Sequence, residues 1–160
     1  RVIQFRLCLE AAGFRTTVSG CIDDWLSAHA AFIVPVMLAL DASGGDPSLL
    51  SNDRGLIGLL VDSTRQLYRA LRKSGNTEIP RNLRTLYSRP MRRFAIVYWR
   101  QVMRDGRGEL WFGAHGRAAP EETASMTKHL DEEMKRDGHV AAALSRLEEV
   151  SRPVESPRNR

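Results

Sequence analysis

The chain has 160 residues, of which 42% are hydrophobic and 27% charged, and a formal net charge of +5. That length suits one domain with a core of its own, and the balance excludes a disordered, collagen-like or disulfide-scaffold protein. The two cysteines, Cys8 and Cys21, share no metal-type or redox-type spacing, so both are expected to be reduced core thiols of a cytoplasmic protein.

In chain order, Val2 to Ala12 predicts an amphipathic helix, with Val2, Phe5, Leu9 and Ala12 on one face and Gly13 as the left-handed residue after it. Phe14 to Val18 is β-prone and predicts a short extended segment, after which Ser19 offers a helix cap. Ile22 to Asp41 predicts a helix that is apolar nearly all round from Ala30 onward. It is therefore central and buried, kinked at Pro35 and ended by Gly44-Gly45. Its apolar run, Ala30 to Leu40, is about half of the ~20 residues a membrane span requires, so no transmembrane helix is expected. Asp46-Pro47 is a cap-plus-first-turn signal for a short helix. Asp53 to Lys73 is the cleanest amphipathic pattern. Leu56, Leu60, Leu67 and Leu71 line one side, with Arg65, Arg69, Arg72 and Lys73 on the other. Helices from Pro80 to Ser88, Pro90 to Arg104, Pro120 to Asp137 and His139 to Val150 follow, with a loop at residues 105–108. The polar tail, residues 151–160, is expected to be disordered. The expected fold class is all-α, one multi-helix bundle over residues 1–150.

Several chemistries lack their motifs. No Gly-rich phosphate loop follows a strand, none of the four histidines has a metal-ligand spacing, and no Gly-x-Ser-x-Gly elbow occurs.

One stretch carries more specific information: Ile22-Asp23-Asp24-Trp25-Leu26-Ser27-Ala28-His29-Ala30-Ala31-Phe32-Ile33-Val34-Pro35. It resembles the long helix that opens the C-terminal domain of ketopantoate reductases (2-dehydropantoate 2-reductases). That family commonly shows Trp-x-Lys there, and some relatives continue with His-Ala-Ala and a later proline. Glu10-Ala11-Ala12-Gly13-Phe14 resembles the family's preceding segment. Glu109-Leu110 resembles its later Glu-hydrophobic motif, and Gly138-His139-Val140 with Leu144 its closing region. The resemblance implies a bundle like the C-terminal domain of 6-phosphogluconate dehydrogenase-like reductases. It also implies an NADPH-dependent oxidoreductase in which a Rossmann domain precedes the helices and a keto acid sits in the cleft between them. NADPH would belong to that other domain, leaving no cofactor in this chain. The implied partners are an upstream Rossmann domain or a second copy in a homodimer.

In the family a lysine at the third position of Trp-x-Lys stabilises the oxygen of the ketone being reduced and delivers its proton. Here that position is Ser27, the candidate catalytic residue by register. A hydroxyl brings no positive charge to a developing alkoxide and is a very weak acid. The family's following asparagines correspond to Ala31 and Pro35. Glu109 and His29 remain as candidate substrate-binding residues, and the chain alone is expected to be inactive. Simpler roles stand beside these: Trp25 packing in the core, Ser27 a small helix residue, His29 an ordinary helix histidine, Glu109 favouring the start of the next helix.

Two further readings compete. One is a non-catalytic helical interaction module. The other is nucleic-acid binding through residues 81–117, where nine arginines and two acids interleave with Tyr87, Phe94, Tyr98, Trp99, Trp111 and Phe112. Against the latter, Phe94, Tyr98 and Val102 fit one core-facing stripe, leaving Arg93, Arg100 and Arg104 as its solvated side. Residues 121–150 hold eight acids against four basic residues, which suits packing against that basic middle.

Overall fold

The computed structural model describes residues 1–113, 120–136, 138 and 141–151. Among these the protein is all helical, with no strand. The helices are α1 (Val2–Ala11), α2 (Ile22–Ala42), α3 (Pro47–Asn52), α4 (Arg54–Lys73), α5 (Arg81–Leu86), α6 (Arg92–Arg104), α7 (Pro120–Arg136) and α8 (Ala142–Ser151), with a π-helical turn at Glu109–Gly113. The expected closing motif includes His139 and Val140, which lie outside the described residues, as does the tail from residue 152.

Helices α2 and α4 form the centre. Every residue from Val34 to Leu40 is buried, and α2 runs unbroken through Pro35. Gly44 and Gly45 end it at φ 71° and 77°, donating to the carbonyls of Asp41 and Leu40 at 2.9 and 2.8 Å. Only a residue without a Cβ adopts two such conformations in succession at little cost. The next two helices begin on aspartate caps. Asp46 accepts from the Ser48 backbone N–H at 2.7 Å, and Asp53 accepts from Gly55 and Leu56 at 2.8 and 2.9 Å. Each cap satisfies N–H groups that the first turn leaves without partners, worth about 1 kcal/mol. Leu56, Leu60, Leu67 and Leu71 of α4 are all buried against α2 and α8, each contributing about 1.5–3 kcal/mol of hydrophobic stabilisation. Helix α6 packs on α3 and α4, and α7 packs on α2.

Among the described residues one helix, α2, is long and apolar enough to cross a bilayer by length and composition, and its apolar window is 56% buried inside the bundle.

Several expectations are corrected. First, α1 is helical but buries none of its residues. Val2, Ile3, Phe5, Leu7, Phe14, Val18 and Ile22 stay exposed. Second, Cys8 and Cys21 are exposed, not core thiols: α1 buries none of its residues, and Cys21 lies ahead of the part of α2 that enters the core. Third, Trp25 is 42% exposed: the first turn of α2 projects past the core that its second half enters. Fourth, the core stripe of α6 is Ala95, Trp99, Val102 and Met103, whereas Phe94 is 57% exposed. Rotating the helix by one residue places the larger indole inside, where its N–H donates to the Tyr87 hydroxyl at 2.8 Å. The acidic C-terminal pair, α7 and α8, packs mainly on α2 and α4 instead of the arginine-rich α6.

Candidate functional site

The first turns of α2 hold three of the residues singled out by sequence. Trp25 and His29, one turn apart, stack with ring centroids 5.0 Å apart and planes within 6°. Their overlap follows from the i, i+4 spacing of a helix. Partial burial lowers the His29 pKa from its ordinary value of 6.5, so the neutral imidazole is favoured. The start of α2 is tied to the α4–α5 loop. The Asn76 side-chain amide donates to the Asp24 carbonyl at 2.7 Å, and the Thr77 N–H donates to the Asp24 carboxylate at 3.3 Å.

Ser27 faces α7. Its hydroxyl donates to Glu133 Oε1 at 2.9 Å, and Glu133 Oε2 is buried without a hydrogen-bond partner. The electrostatics of this position are therefore the reverse of those that carbonyl reduction requires. Carbonyl reduction needs a cation or proton donor to offset charge building on an oxygen, and the neighbour here is a carboxylate. Glu109 lies on another element, exposed in the first turn of the π-helical segment after α6. The fold thus brings Ser27, His29 and Trp25 together on one helix end, adds Glu133 to them, and leaves Glu109 on another element.

Glu133 was not among the residues picked out by sequence. Its signal was its spacing: Leu130 and Met134 are buried on α7, and an acid between them falls at the edge of the same apolar stripe. Among the described residues no three His, Cys, Asp or Glu side chains are grouped as a metal ion would need.

Neither of two surface grooves contains Ser27, His29 or Glu109. One, of about 400 Å³, lies between α2, α7 and α8 and is lined by Asp41, Asp131 and Glu148 with Lys128. Partial burial raises the Asp41 pKa above its ordinary 3.8. The other, of about 570 Å³, lies between α4 and the α5 region and is lined by Arg65, Arg69, Arg72, Arg84 and Arg89 with Tyr68 and Tyr87. The aromatic and basic residues of the chain's middle do not form one surface. Trp99, Tyr87 and Phe112 are in the core, Arg92 pairs with Asp62, and Arg100 donates to the Ser51 carbonyl at 2.9 Å. Compared with known protein families, characterised proteins and solved structures, the chain matches none.

Proposed function

We propose that this chain is a non-catalytic helical domain of the ketopantoate-reductase C-terminal type, related to the bundles of 6-phosphogluconate dehydrogenase-like reductases. It keeps the long opening helix with its Trp25-x-Ser27 register and has lost the reducing chemistry. The Ser27–Glu133 hydrogen bond supports this reading most directly, because it puts negative charge at the register of the family lysine. In this role the helices supply the substrate-side wall of a cleft, with NADPH and its Rossmann domain contributed by another body. The chimeric experiment separates the two halves of the claim. This chain is joined behind the nucleotide-binding domain of a ketopantoate reductase, replacing that enzyme's own helical domain. The expected product folds, binds NADPH and does not reduce ketopantoate. An unfolded or NADPH-blind chimera overturns the family reading, and turnover overturns the loss of catalysis.

One observation favours a second reading, a helical interaction module. Val2, Ile3, Phe5, Leu7, Phe14 and Val18 lie exposed on α1, which buries none of its residues, and on the link that follows it. Large apolar side chains exposed in such number on one short stretch suit an interface. If a second copy covers it, sedimentation equilibrium gives a dimer that Phe5→Asp dissociates. A monomer throughout the micromolar range removes the homodimer.

A further inference from the structure

The groove beside α4 combines two features that arise from different parts of the sequence. The first is charge. Arg65, Arg69 and Arg72 follow one another at i, i+4 and i+7, on the side of α4 turned away from its leucine stripe. Arg84 of α5 and Arg89 of the turn after it close the opposite wall. Arg65 is paired with Asp62 at 2.9 Å. Arg69, Arg72, Arg84 and Arg89 have no ion pair among the described residues, and no Asp or Glu lines the groove. Guanidinium groups that line one groove without a counter-charge raise its positive potential, so an anion there is favoured.

The second feature is an orphan. Tyr68 lines the same groove, is only 4% exposed, and its hydroxyl has no hydrogen-bond partner. A buried hydroxyl without a partner costs about 1–3 kcal/mol, and its persistence calls for a reason. Tyr87, the other buried aromatic of the groove, differs: its hydroxyl accepts from Trp99. Among the described residues that line the groove, the Tyr68 hydroxyl is the buried group without a partner.

We propose that this groove binds the phosphate chain of a small polyphosphate compound, with Arg69, Arg72, Arg84 and Arg89 gripping its oxygens and the Tyr68 hydroxyl donating to one of them. Guanidinium groups suit this ligand because each offers parallel N–H donors matched to phosphate oxygens. Size favours a compact ligand over a nucleic-acid strand, since about 570 Å³ falls within the range of small-molecule sites. Other arginines of the chain's middle are already engaged: Arg92, Arg100 and Arg107 are held by Asp62, the Ser51 carbonyl and Asp105. A strand would need that charge to continue.

The probe is sodium tripolyphosphate, titrated into the full chain by calorimetry at physiological ionic strength, with inorganic phosphate and a single-stranded oligonucleotide in parallel. Tripolyphosphate is expected to bind at one site per chain, more tightly than inorganic phosphate. Arg69→Gln and Arg84→Gln are surface changes that leave the fold intact, and each should weaken binding on the order of tenfold through a lost charge-assisted contact. Tyr68→Phe should weaken binding several-fold without lowering the melting temperature of the unliganded protein. Absence of saturable binding overturns the proposal, as does affinity unchanged in the Arg69→Gln/Arg84→Gln double variant. An oligonucleotide that binds more tightly than tripolyphosphate overturns it in favour of a nucleic-acid surface.

Discussion

Tyr68 and Tyr87 lie edge to face, ring centroids 5.7 Å apart, and both are buried. Burial raises the pKa of both phenols, in Tyr87 against the opposing effect of the Trp99 hydrogen bond, so both stay neutral. Their removal should nevertheless differ. Tyr87→Phe leaves the buried Trp99 indole N–H without an acceptor and is expected to cost about 1–3 kcal/mol. Tyr68→Phe breaks no hydrogen bond and should leave stability unchanged or slightly raised. Urea unfolding with equal slopes for both variants checks the contrast; equal losses would refute it. His29 carries a pH expectation. Its folded pKa is below the unfolded value of 6.5, so between those values the unfolded chain binds more protons. The stability it contributes is complete above pH 6.5 and declines as pH falls below that. His29→Gln should therefore flatten the acid side of a melting-temperature profile, and an identical profile would exclude the effect.

At the scale of elements, local chemistry was the most legible. The aspartate caps of α3 and α4, the paired glycines after α2 and the leucine stripe of α4 all follow from short-range rules and stand where the sequence puts them. The face of α6 did not follow. Phe94-Tyr98-Val102 and Ala95-Trp99-Val102-Met103 are both valid helical stripes, and the choice between them rests on Tyr87, which belongs to a different segment. The same limit hid the clamp between α4 and α6. There Arg92 donates to both oxygens of Asp62 through Nε and Nη2, at 2.9 and 2.7 Å, and Arg65 joins them. This hydrogen bonding raises the Arg92 pKa. Because the Arg92 side chain is 40% exposed, solvent screening limits the pair, and Arg92→Ala should cost about 0.5–1 kcal/mol, less at high salt. Thermal melts of the variant at low and high ionic strength test both the size and the salt dependence.

For the whole molecule, the all-α class was legible because the helical spacing and its punctuation agree along most of the chain. The candidate sites were legible only in pieces. Ser27 and His29 are fixed by their register on α2, but the carboxylate that decides the character of Ser27 arrives from α7, roughly a hundred positions later. The arginines of α4 share a face by periodicity alone. That Arg84, Arg89 and an unsatisfied phenol complete a groove with them is a product of how α5 folds back.

Both thiols of the protein are exposed and stand near its N-terminus, Cys8 on α1, which buries none of its residues, and Cys21 just ahead of α2. The molecule therefore carries a built-in reporter. The alkylation rate of the unaltered protein follows the coverage of its N-terminal arm and is insensitive to events in the interior. Whatever settles on that arm, a twin or a foreign domain, announces itself by slowing a maleimide.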